Sequence, residues 1–108
     1  MTLNQVNDGI LVVNDSGGMK KDGDKLDYTL LEWRSLRYLV RLMMFGAKKY
    51  KRDNWKLVEP ERYKQALLRH VALFAEGEWM DMDSGTPHLA GIMFNAMVLI
   101  WFKDEGKI

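Results

Sequence analysis

The apolar run "LAGIMFNAMVLIWF", residues 89–102, constrains this chain more than any other feature. Its 14 residues are too few to span a bilayer, and Asn95 interrupts them, so it reads as a buried helix. A helix of that kind must be covered by others, and two further helical patterns precede it. The first runs from roughly Thr29 to Lys49, where Leu31, Leu36, Leu39, Val40, Met43 and Met44 make a wide apolar face. Leu42 and Phe45 widen that face, so this helix is expected to contact partners on two sides. The second runs from about Pro60 to Ala75, with Pro60 suited to a first helical turn. Tyr63, Ala66, Leu67, His70, Val71 and Phe74 recur there at three-and-four spacing. The apolar run itself begins near Thr86 or Pro87, with Thr86 as the expected cap. Its inner stripe is His88, Gly91, Ile92, Asn95, Leu99 and Phe102.

The fold expected is therefore all-α, a small bundle of three main helices in one domain. Residues 1–28 form an N-terminal arm and 29–108 the helical core. In the arm, "GILVV" is a short β-type run and "NDSGGMKKDGDK" is turn chemistry, so an extended piece, or a small hairpin, is expected there. The linker "GEWMDMDSG" is short enough to make helices two and three antiparallel neighbours. The wide first helix and eight methionines point to subunits sharing a core, as a homodimer or homotetramer.

Composition narrows the functions. A net charge of +1 gives no field to draw the chain to nucleic acid or an anionic membrane. A chain without cysteine has no disulfide or thiolate metal site, which fits a reducing, cytoplasmic setting. No signal peptide is recognisable at the N-terminus.

Both histidines and four acids fall in "RHVALFAEGEWMDMDSGTPH", residues 69–88. His70 and Glu78 approach the linker from one helix, Asp81 and Asp83 lie in it, and His88 and Asn95 leave it on an inner face. Carboxylate oxygens suit a hard cation such as Mg²⁺, and imidazole admits Mn²⁺. Each group also has a plain structural reading. A histidine on an apolar face is often a hydrogen-bonded core residue, "DMDSG" can be a solvated turn, and Asn95 can bridge two helices. In "GAKKYKRDNW", Lys48, Lys49 and Arg52 suit phosphates and Trp55 or Tyr50 a base, or the stretch is a solvated helix end.

The ordered series F-G-A-x-K-Y, N-W, R-H, G-E-x-x-D, S-G-x-P-H-L, followed by Asn95, resembles a phage and bacterial family. That family is dATP/dGTP diphosphohydrolase-like and related to MazG-like all-α nucleoside triphosphate pyrophosphohydrolases. The resemblance covers about residues 16–100. It implies a helical oligomer that binds Mg²⁺ or Mn²⁺ and cleaves a deoxynucleoside triphosphate to a monophosphate and pyrophosphate. On this reading Glu78 and Asp81 hold the metal, with Asp83 and His88 as further ligands or supporting groups. His70 is a ligand or general base. Lys25, Lys48 and Arg69 neutralise the triphosphate, and Trp55 and Asn95 contact base or sugar. Lys25 and Asp27 match the family's first-loop lysine and aspartate. The chain departs from its relatives in carrying Gly91 where a second histidine is common, "GDKLD" for G-K-P-R, and no E-x-x-E before the site. The competing expectation is a non-catalytic protein of the same shape that sequesters a nucleotide or inhibits a host defence protein.

Overall fold

The computed structural model describes residues 11–13, 17–21 and 23–108. The chain divides into two compact units, residues 1–31 and 32–108. In the first, β1 (Leu11–Val13) and β2 (Met19–Lys21) form an antiparallel hairpin, with Val12 opposite Lys20. A 3₁₀ turn follows at Tyr28–Leu30, capped by the Asp27 carboxylate, which accepts from the Thr29 amide.

The second unit holds three α-helices among the described residues: α1 (Trp33–Lys49), α2 (Pro60–Ala75) and α3 (His88–Asp104). The expected all-α bundle is what forms. One boundary differs. Helix α1 starts at Trp33 rather than near Thr29, because Asp27 closes a separate 3₁₀ turn and Leu31 and Glu32 are extended. Glu32 then caps α1 by accepting from the Ser35 amide at 3.1 Å. Leu31 consequently lies outside the helix face assigned to it.

Helix α3 is the buried element. Its apolar residues surround the whole axis, and it packs against α2, α1 and a 3₁₀ turn at Asn54–Leu57. Ala90, Val98 and Phe102 are its buried apolar residues. Tyr63, early in α2, stacks near Phe102, late in α3, while His70 meets His88. Those pairings make α2 and α3 antiparallel. Trp55 meets Trp101 edge-to-face with centroids 5.1 Å apart, and the Tyr63 hydroxyl donates to the Trp55 carbonyl at 3.0 Å. Trp33, Tyr38, Val40 and Met44 on α1 remain exposed. Among the described residues no helix is long and apolar enough to cross a membrane.

The α2–α3 linker is more ordered than a bare turn. Strands β3 (Met80–Asp81) and β4 (Thr86–Pro87) pair in a two-residue antiparallel ladder. Thr86 therefore does not cap α3. It lies in β4, its hydroxyl pairs with Ser84 at 2.8 Å, and Pro87 takes the cap position without a side-chain bond.

Candidate functional site

Two local devices bring the polar groups together. The first ends α2. Gly77 turns left-handed, with φ of 98°, and the amides of Gly77 and Glu78 bond back to the Phe74 and Leu73 carbonyls, each at 3.0 Å. The helix stops, and Glu78 swings toward the start of α3. The second is the β3–β4 hairpin. Asp81 accepts from the Asp83 amide at 3.2 Å and from the Ser84 hydroxyl at 3.0 Å, and the Gly85 amide bonds the Asp81 carbonyl at 2.8 Å. The hairpin places His88 at the first turn of α3, where its amide donates to the Trp79 carbonyl at 2.9 Å.

His88 is 2% exposed, and both of its ring nitrogens are engaged. Nε2 meets a Glu78 carboxylate oxygen at 2.6 Å, and Nδ1 meets Nδ1 of His70 at 2.8 Å. Three side chains from three elements thus form one chain. On the far side, the His70 ring lies over the backbone of Gly91, and a Cβ built there would sit 2.7 Å from its Cδ2 and Nε2. Burial pushes the His70 pKa below its ordinary value of 6.5, Asp81 opposes that shift, and His88 and Arg69 reinforce it.

His70 lines a cavity of about 310 Å³ together with Lys49, Asp81, Asp83, Ser84 and Asn95. Asn95 is buried and anchored, donating to the Gly91 carbonyl at 2.6 Å. The Lys49 ammonium is 4.0 Å from the Asp83 carboxylate, an exposed pair of little energetic weight. A larger cavity of about 850 Å³, lined by Trp55, Asn54, Lys51 and Arg52, adjoins it through shared residues Tyr50, Arg62, Tyr63 and Phe94.

Of the residues singled out in the sequence, His70, Asp81, Asp83 and Asn95 share the smaller cavity, and Trp55 lines the larger. Glu78 and His88 stand behind His70. Arg69 and Lys48 are exposed on their helices and line neither cavity. Lys25 is exposed in the other compact unit. Arg62 and Tyr63, not among the residues singled out in the sequence as binding groups, lie at the junction of the cavities. Of Lys48 and Lys49, both suited to phosphate by sequence, Lys49 lines the smaller cavity.

Among the described residues no three His, Asp or Glu side chains converge into a group that holds a metal ion. The smaller cavity offers two carboxylates, Asp81 and Asp83, each with lone pairs left over. Mg²⁺ keeps several waters and takes substrate phosphate oxygens, so one or two protein carboxylates suffice for it. The donors present fit that cation.

Residues 15–108 match the family model described as dATP/dGTP diphosphohydrolase, N-terminal, and the chain belongs to that family. It is similar to a dATP/dGTP diphosphohydrolase of Salmonella phage PMBT28, with 30% identity over 88 residues. Those residues are 82% of this chain and 30% of the phage protein, so the chain spans under a third of that relative's length. No solved structure matches it.

Proposed function

We propose that this member of the dATP/dGTP diphosphohydrolase N-terminal family carries a metal-dependent pyrophosphohydrolase site. Its substrate would be a deoxynucleoside triphosphate and its products the monophosphate and pyrophosphate. The observation that carries the reading is one cavity holding a neutral-leaning histidine, His70, beside two carboxylates, Asp81 and Asp83, and the cation Lys49. The phage relative's name supports the substrate class.

The triphosphate lies in the smaller cavity and the nucleoside in the adjoining larger one, near Trp55. Lys49 and Arg62 offset phosphate charge, the role the sequence suggested for Lys48 and Arg69. Asp81 and Asp83 would hold Mg²⁺ or Mn²⁺, which when bound would supply polarisation of the phosphate and activation of water. Glu78 and His88 are bonded to each other, so enlisting either as a ligand requires that bond to break. His70 accepts a proton from the attacking water. Asn95 fixes the backbone of Gly91 against which the His70 ring rests. The exposed apolar side chains of α1 support assembly as a homodimer or homotetramer.

Asp81→Ala and Glu78→Ala should each abolish turnover with the helical fold retained, read by pyrophosphate release and circular dichroism. Unchanged activity in both variants would remove this site from consideration. The bond between Glu78 and His88, which holds both away from a metal, favours one rival, a nucleotide-binding protein without turnover. That rival predicts retained, intact nucleotide.

A further inference from the structure

We propose that Glu78 is a positioning residue that acts on His70 through the buried His88. Glu78 would thus set the ring nitrogen that His70 presents to substrate rather than bind metal. The inference rests on the hydrolytic reading of the cavity.

A carboxylate oxygen can only accept a hydrogen bond, so the 2.6 Å contact places a proton on His88 Nε2. A neutral imidazole protonated at Nε2 has its lone pair at Nδ1. The 2.8 Å contact between the two Nδ1 atoms then requires His70 to donate Nδ1–H. That leaves the lone pair of His70 at Nε2, on the ring edge over Gly91. Nothing else among the described residues hydrogen-bonds either histidine ring. One carboxylate therefore determines the tautomer of both rings.

The arrangement is held from several sides. His88 is almost wholly buried, so its ring has no water to replace Glu78 or His70. The left-handed turn at Gly77 brings Glu78 to His88. Gly91 leaves room for the His70 ring, whose tilt to His88 is 50° with centroids 5.1 Å apart.

In the reaction, a water O–H bond breaks and its proton passes to His70 Nε2. The water oxygen forms the new bond to phosphorus. The P–O bond to the α–β bridging oxygen breaks, and pyrophosphate leaves with that electron pair. The His70 imidazolium keeps its Nδ1–H on His88, and His88 keeps its Nε2–H on Glu78. No proton need cross the relay. Glu78 acts by orientation and by its charge, as the carboxylate behind a catalytic histidine does elsewhere.

Two measurements on the full chain test this. The first is the long-range ¹H–¹⁵N spectrum of ¹⁵N-histidine-labelled native protein near neutral pH. It should show His70 protonated at Nδ1 and bare at Nε2, and His88 the reverse. A His70 protonated at Nε2 and bare at Nδ1 overturns the proposal. The second compares Glu78→Gln and Glu78→Asp with the native protein while Mg²⁺ is titrated. Glu78→Gln should lower kcat by about 10²-fold or more, with KM and the half-saturating Mg²⁺ concentration unchanged. Glu78→Asp should recover part of the loss. A raised Mg²⁺ requirement in Glu78→Gln would make Glu78 a metal ligand and overturn the positioning role. Absence of turnover in the native protein would instead refute the hydrolytic reading, and the role with it, whatever tautomers the spectrum shows.

Discussion

The His70 ring rests directly on the backbone of Gly91, so closely that a Cβ at position 91 would sit 2.7 Å from two of its atoms. Gly91→Ala must displace the ring, and with it the 2.8 Å contact to His88. Such overpacking should cost about 1–3 kcal/mol, measured by urea denaturation. In a His70→Ala background the same substitution should cost much less, because the obstructing ring is gone. Additive losses in the double-mutant cycle would show that Gly91 matters for another reason.

Stability should fall as pH drops. Burial holds the His70 pKa below its ordinary 6.5, so the unfolded chain takes up a proton before the folded one does. From just above the ordinary value of 6.5 down to the lowered folded-state pKa the unfolded state then binds more protons, and stability rises with pH across that window. Below the lowered folded-state pKa the His70 contribution levels off. Denaturation midpoints across this range should flatten in His70→Gln. A slope unchanged by that substitution would assign the effect to other groups.

Lys48 and Lys49 are neighbours in the last turn of α1, yet only Lys49 lines the small cavity. Lys49→Gln should reduce kcat/KM for a triphosphate by about tenfold. Lys48→Gln should leave it within about twofold, since surface charges away from the site act weakly. The reverse order would place the triphosphate elsewhere.

The exposed face of α1 should mediate self-association. Val40 is 53% exposed and Met44 65% exposed, one turn apart on that helix. Sedimentation velocity should find a homodimer or homotetramer, and Val40→Lys with Met44→Lys should yield a monomer. A native monomer at micromolar concentration would exclude assembly through this face.

Helical spacing carried much of the fold. The limits of α2 were legible because Pro60 opens it and the three-and-four apolar spacing runs out at Phe74. The inward faces of His70 and His88 followed from three-and-four spacing, and the two rings do meet. The start of α1 was not legible, since a capped 3₁₀ turn at Tyr28–Leu30 has the same local composition as a first helical turn. The place of Glu78 was visible only in outline. It reaches His88 through the reversal at Gly77, not by continuing the helix, and periodicity does not describe a left-handed turn. The β3–β4 hairpin was hidden for a related reason. Two-residue strands leave no alternation to read, and Thr86 offers the same hydroxyl to a hairpin as to a helix cap. The choice between Lys48 and Lys49 is one residue of helical rotation, finer than a basic run can resolve.

Product analysis tests the hydrolytic function most directly. The protein would be incubated with each common nucleoside and deoxynucleoside triphosphate, with Mg²⁺ or Mn²⁺ and with EDTA as control, and products separated by ion-exchange chromatography. Metal-dependent release of a deoxynucleoside monophosphate and pyrophosphate is expected, with the activity lost in Asp81→Ala. Intact substrates under every condition, from protein that is folded, would contradict it.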